Sequence, residues 1–380
     1  MLFTPELHER RAGAAWDAGR VRDAVAAIAR DAEEALDPGR GWPSHPRDND
    51  TERFFRTLYL GAAGVLWALD SLGRRGLAEP ARDRVPLLEH LLEAERANPD
   101  FADERPERSL LMGECGLLLV LHLLSPRPEY ETRLAELIAA NAEDERLELM
   151  WGSPGTMLAA QRLALHQVWA RSAEPLWQHW DEETGVWTQQ LYGQARRFLG
   201  PVHGFAGNVL ALSAEPSAEL NRRAAETLRR YAVVEGETAN WPPLAGEPLD
   251  RDGEIRVQHC HGAPGMVTAL AHLAPADDEH ERLLLAGGEL TWQAGPLRKG
   301  ANLCHGTAGN GYAFLRLLER TGDELWLERA RAFAMHAVEQ VERDRAEHGR
   351  GRHTLWTGDP GTALYLADCL EGSGDFPSCP

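Results

Sequence analysis

Two kinds of helical segment alternate along the chain. One kind is amphipathic. In DELWLERARAFAMHAVEQVERD (323–344), Leu327, Ala330, Ala334, Ala337 and Val341 recur at helical spacing, and the charges keep to the other face. LNRRAAETLRRYAVV (220–234) likewise carries its charge on one side only. The other kind is apolar nearly all round, as in MVTALAHLA (266–274) and NVLALSA (208–214). That pattern predicts helices buried on most sides.

Each apolar segment is introduced by a G-x-x-G motif. The glycine pairs are 61/64, 113/116, 152/155, 204/207, 262/265, 306/309 and 358/361, so successive first glycines are 52, 39, 52, 58, 44 and 52 residues apart. Chance pairing at this glycine content gives about three or four such motifs. One more, GRRG at 73–76, lacks an apolar follower. Seven copies with one kind of follower and a period near fifty residues mark a repeat architecture. Each unit reads as an outer amphipathic helix, a loop, the glycine motif and an inner apolar helix. The prediction is an all-α fold of about fourteen helices in a single domain over residues 1–380. EIRV (254–257) is the one short strand signal. Open solenoids need polar capping repeats. Here the first and last inner helices are as apolar as the middle ones, which points to a closed ring. Glycines at seven helix starts either allow tight helix packing or leave amide N–H groups uncovered, which would give an anion-tolerant mouth where the inner helices begin. Packing is the expected role at any one motif, and function weighs more at those that carry His or Cys.

Charge and composition narrow the function. A formal net charge of −19 over 380 residues argues against a nucleic-acid partner, which requires clustered Lys and Arg. No apolar run reaches the length of a membrane span. MLFTPELHERRAGAAWDAGR is charged from its start and lacks the apolar core of a signal peptide, and five cysteines are too few for a disulfide framework. A monomeric cytoplasmic protein with reduced thiols is expected. Cys115 and Cys369 lie in apolar runs and read as core; Cys379 reads as part of a frayed tail.

Three consecutive repeats carry reactive side chains at one place in the motif: His203 before Gly204, Cys260–His261 before Gly262, and Cys304–His305 before Gly306. Equivalent residues of adjacent repeats lie near one another in space. Two thiolates and an imidazole suit Zn²⁺, and three protein ligands leave a tetrahedral position open, as in catalytic zinc sites. Cys260, Cys304 and His305 form the best set, although spacing alone leaves His261 as an alternative to His305. Paired carboxylates at the mouth would instead suit a glycosidase, but only Glu114 and Asp359 stand there. The long loop GETANWPPLAGEPLDRDGEIRVQH (236–259) is a candidate lid, with Trp241 either shaping the cleft or anchoring the core.

The motifs CHGAPG, LRKGANLCHGTAGN and HGFAG, with the seven glycine repeats, resemble those of the lanthionine synthetase C-like family, most nearly its eukaryotic-type branch, over nearly the whole chain. The resemblance implies an α/α toroid with seven inner and seven outer helices. It also implies zinc held by Cys260, Cys304 and His305, and activation of a thiol for addition to dehydroalanine or dehydrobutyrine in a peptide or protein. Carried over residue by residue, it implies that His203 donates or accepts a proton. Glu148 sits where the family has an acidic residue; it is expected either to orient or tune an imidazole or to form a helix-terminal ion pair. Arg256 matches an arginine of peptide cyclases, and Lys299 matches the branch that binds glutathione. One departure is His259, which stands where the family commonly has Trp and adds an imidazole beside the site. The implied activities are glutathione addition, cyclisation through a substrate's own cysteine, or regulatory binding of glutathione or zinc.

Overall fold

The computed structural model describes residues 1–79, 83–102 and 108–380. Fourteen α-helices are present among them. The seven that follow the glycine motifs are α2 (Ala62–Arg74), α4 (Glu114–Leu124), α6 (Ser153–Arg162), α8 (Phe205–Leu212), α10 (Ala263–Leu270), α12 (Thr307–Thr321) and α14 (Asp359–Glu371), each with the first glycine as its N-cap. They alternate with α1 (Ala18–Glu34), α3 (Val85–Ala97), α5 (Pro128–Asn141), α7 (His166–Gln178), α9 (Ala218–Tyr231), α11 (Asp278–Ala294) and α13 (Glu324–His348).

The motif-led helices are buried along almost their whole length. The others bury one face; in α13 this includes Leu327, Ala330, Ala334, Ala337 and Val341. Four outer helices, α1, α9, α11 and α13, start on side-chain caps: Asp17, Ser217, Asp277 and Asp323 each accept from an amide of the first turn. Inner helices start differently. Before α2, α8, α12 and α14 the loop curls over the first turn and offers it carbonyls from seven residues upstream, while the first amide of α10, Ala263 N, donates to Asn240 Oδ1. Thr307 N donates to Gly300 O (2.9 Å), Ala308 N to Ala301 O (3.0 Å), Phe205 N to Phe198 O (2.9 Å), Ala62 N to Phe55 O (3.0 Å) and Asp359 N to Arg352 O (2.8 Å). This corrects the reading of uncovered amides: those donors are spent within the fold and are not available to an anion.

The same curled loop explains the second glycine. A Cβ on Gly309 would lie 1.8 Å from Leu303 O, and one on Gly64 would lie 2.2 Å from Leu58 O; in all seven motifs the obstructing carbonyl belongs to the residue six positions upstream. The equivalent side chain of the preceding repeat presses on the same point: Leu58 on Gly116, Pro201 on Gly265, His259 on Gly309 and Leu303 on Gly361. Leu355 of the seventh repeat presses on Gly64 of the first, 2.6 Å from its would-be Cβ. The interlock therefore returns to its start, α14 packs against α2, and the ring is closed. The fold is an α/α toroid with seven inner and seven outer helices.

Strand content exceeds the sequence reading. Three short antiparallel hairpins pair Gln189–Leu191 with Gln194–Arg196, Val233–Glu235 with Thr238–Asn240, and Asp250–Arg251 with Glu254–Ile255. The expected strand at 254–257 keeps only its first two residues. The chain terminus is also packed where a frayed tail was expected. Gly374 N donates to Glu319 Oε1, Pro380 O accepts from Arg162 Nε, and Phe376 stacks on His259 at 4.0 Å. Cys379 is half-buried, and burial pushes its thiol up to about 12. Cys115 and Cys369 are buried in the core as expected. Among the described residues no helix is long and apolar enough to cross a membrane.

Candidate active site

The residue two before the first glycine of each motif faces its counterparts around one end of the ring. A relay of backbone hydrogen bonds joins several of them. Cys260 N donates to Cys304 O (3.0 Å), Cys304 N to Trp356 O (2.9 Å), Trp356 N to Tyr59 O (3.3 Å) and Tyr59 N to Leu111 O (2.9 Å). Two cysteines 44 positions apart in sequence thus meet because they occupy one register position in adjacent repeats.

The ligand atoms of Cys260, Cys304 and His305 all lie within 4.8 Å of one another. Both cysteines are buried and His305 is half-buried. Burial, followed by the charges of Arg352 and Lys299, pushes His305 down to about 4, so its imidazole is neutral and carries a lone pair. The two thiols compete for ionisation. A hydrogen bond from Cys304 holds Cys260 low against burial, helped by Gln258, His203 and Lys299. That same hydrogen bond, then burial and the charge of Cys260, push Cys304 well above an ordinary thiol. A divalent cation relieves such a conflict, since both sulfurs bind as thiolates. The donor set therefore fits a borderline-soft cation such as Zn²⁺.

A second pair lies next to this set. His203 Nδ1 meets Glu148 Oε2 at 2.8 Å. Glu148 is fully buried, and its carboxylate also accepts from Met150 N (3.0 Å) and Trp151 N (2.6 Å). The carboxylate is fixed by its own loop and in turn fixes the imidazole. The His203 side chain keeps 18% exposure, so the pair opens to the mouth. Burial alone would lower the His203 pKa. The hydrogen bond and charge of Glu148 outweigh it, with Cys260 adding, and the pKa is raised.

Residues 53–380 match the family model described as lanthionine synthetase C-like protein. The chain belongs to the lanthionine synthetase C-like family. It is 34% identical over 145 residues to LanC-like protein GCL1 of Arabidopsis thaliana, covering 37% of this chain and 32% of that protein. It is 30% identical over 201 residues to Glutathione S-transferase LANCL1 of Danio rerio, covering 49% of this chain and 44% of that protein. The matched stretch thus spans less than half the length of either relative. The fold is that of nisin cyclase, with a TM-score of 0.62 at 16% identity, covering 91% of this chain and 93% of that one.

Within this family frame, the other anticipated residues separate. His261 lies outside the ligand group, and its buried Nδ1 has no hydrogen-bond partner. His259 lies outside it too, pushed down to about 3 by burial and covered by Phe376. Arg256 stands at the rim beside Glu254, 3.4 Å away, and its charge reaches His261. Lys299 Nζ donates to Gln258 Oε1 at 3.1 Å. Trp241 is a core anchor: it is 1% exposed and its Nε1 donates to Leu228 O. Glu114 and Asp359 do not form an acid pair. Glu114 is held by Arg96 and Arg133, and Asp359 accepts from Arg352 N. Sequence reasoning missed two residues that touch the cysteines. Gln258 Nε2 donates to Cys260 Sγ at 2.9 Å, and the Tyr59 hydroxyl hydrogen-bonds Cys304. Tyr59 holds the same motif position as both cysteines, which was the available signal.

Proposed function

We propose that the protein is a zinc-dependent enzyme that adds the thiol of glutathione to dehydroalanine or dehydrobutyrine in peptides or proteins, forming a thioether. The observation that carries this reading is the convergence of Cys260, Cys304 and His305 beside the His203–Glu148 pair. The relative named a glutathione S-transferase supports glutathione as the thiol.

Cys260, Cys304 and His305 would hold the metal, and a set of only three protein ligands would leave it able to take the substrate thiol. Bound Zn²⁺ supplies acidification of the incoming thiol, which otherwise titrates near 8.5. Lys299 and Arg256 provide cationic groups for the carboxylates of glutathione and for the developing enolate oxygen. The sulfur forms a bond to the β-carbon, and the double-bond electron pair moves onto the α-carbon and its carbonyl. His203, held through Nδ1 by Glu148, delivers a proton from Nε2 to the α-carbon. The thiol proton leaves to solvent and His203 regains a proton from it, so that one S–H bond and the π bond of the C=C are consumed and one C–S and one C–H bond are formed.

The test is mass spectrometry of a dehydroalanine peptide incubated with glutathione and zinc-loaded protein, beside Cys304→Ala. The expected result is a glutathione adduct that disappears with the variant. A zinc-bound protein that gives no adduct above background would overturn glutathione transfer and shift the reading to a peptide cyclase.

A further inference from the structure

Lys299 does more than face an arriving ligand. Its ammonium donates to Gln258 Oε1 at 3.1 Å, and Gln258 Nε2 donates to Cys260 Sγ at 2.9 Å. The donors run one way, from cation to amide to sulfur. Each part is held in place. Gln258 is buried, and its backbone closes a tight loop with His261, N to O in both directions at 3.1 and 3.0 Å. Cys260 N is fixed on Cys304 O. The Lys299 carbonyl accepts from Arg47 Nη2 at 2.9 Å, and Arg47 is paired with Asp344. A buried amide that bridges an ammonium and a thiolate is polarised by both, and such chains strengthen one another where the local dielectric is low. Cys304 receives its own donor from Tyr59, so each sulfur of the pair has a donor besides the hydrogen bond the two sulfurs share.

We infer that Lys299 and Gln258 form a relay that positions the Cys260 sulfur and withdraws charge from it, setting how much electron density that sulfur gives a bound metal. Both are positioning residues, acting on the substrate thiol through Cys260. The inference rests on the proposed metal site. Two thiolates that donate fully would weaken the pull of the metal on a third sulfur. Drawing charge from Cys260 keeps the open position acidic enough to bind the incoming thiol as thiolate. Lys299 has three N–H donors and spends one on Gln258, so the same side chain can also meet a carboxylate of the arriving thiol. Binding of the thiol donor and the character of the metal site are thereby linked through one residue.

The test uses the full-length protein loaded with Co²⁺, whose thiolate-to-metal charge-transfer band reports the electron density on sulfur. It is paired with Zn²⁺ affinity measured by chelator competition. Gln258→Met keeps the length and bulk of the side chain and removes its donor. The expected result is a red-shifted band and Zn²⁺ affinity weaker by about tenfold to a hundredfold, the range for lost partners of metal ligands. Lys299→Met shifts the band the same way by less, Lys299→Arg restores part of the shift, and Lys299→Met adds nothing in a Gln258→Met background. A band that stays put in a folded, cobalt-loaded Gln258→Met protein overturns the relay and leaves the metal site standing, as do additive effects of the two substitutions. If the unaltered protein takes up no Co²⁺ that Cys304→Ala abolishes, the metal site fails and the relay with it.

Discussion

The His203–Glu148 contact is the smallest unit with a measurable chemical consequence. A histidine whose pKa lies above its ordinary value stays protonated to higher pH, and an imidazolium can donate the proton that the proposed addition requires. Activity that depends on that donor is present at low pH and lost as pH rises through the His203 pKa. Glu148→Gln removes the charge that raises the pKa and leaves the burial that lowers it. The alkaline limb of the kcat/KM profile should therefore move to lower pH. His203→Ala should lower the rate by about 10²- to 10⁴-fold. An alkaline limb unmoved by Glu148→Gln would mean that His203 is not the group titrating. At this scale the sequence shows which residue types recur at the motif but not what they touch. Cys260, Cys304 and His305 are legible because two C-H-G triplets occupy matched positions. Gln258 and Tyr59 are harder to read: Gln258 turns its amide onto a sulfur only two residues on, which its residue type does not announce, and Tyr59 shares the motif position of the cysteines but meets Cys304 only once the ring closes.

Helices were legible where a long-range pattern repeats. The glycine motifs announce every inner helix, because only glycine fits where the preceding loop lays a carbonyl on the first turn. Gly309→Ala tests that account directly. Its Cβ would fall 1.8 Å from Leu303 O and 3.1 Å from His259 Cβ, so the loop that carries Cys304 and His305 must move. The expected cost is about 3 kcal/mol or more, at the upper end for overpacking, and the metal affinity should fall with it. Gly13→Ala, with nothing within 4 Å, is the control and should leave the unfolding midpoint unchanged. Equal midpoints for the two variants would refute the steric account. The hairpins escaped detection for the opposite reason. Strands of two or three residues, such as Gln189–Leu191 and Thr238–Asn240, are too short to show alternation, and Thr238–Asn240 is buried throughout. Of the two readings of the motif glycines, tight packing held and anion binding did not, because a glycine pattern shows that amides can be approached, not that the loop's own carbonyls reach them first.

At the scale of the molecule, closure makes each repeat depend on two neighbours, and residues 373–380 add a tie across the ring. Leaving α14, the chain meets Glu319 and Arg316 of α12 through Gly374 and Asp375, turns Phe376 inward, and ends with Pro380 O on Arg162 of α6. Phe376 stacks on His259 at 4.0 Å and an interplanar angle of 8°, and packs edge-on against Tyr312 (5.0 Å) and Trp356 (5.5 Å). These three partners come from the fifth, sixth and seventh repeats, so one side chain joins consecutive units beneath the cysteines. It also accounts for His259 at a position where the family commonly has Trp. A flat neutral imidazole, kept unprotonated by burial, offers a stacking face to Phe376 much as an indole would. Phe376→Ala should therefore destabilise the protein by about 2–3 kcal/mol, less than for a fully buried Phe because the ring is only half-buried. It should also speed the exchange of metal from the proposed site at Cys260 and Cys304, whose loops rest on that stack. Phe376→Leu, which refills most of the space but cannot stack, separates the two effects. If stacking holds the site, Phe376→Leu recovers the unfolding midpoint and not the slow metal exchange. If Phe376 only fills space, it recovers both.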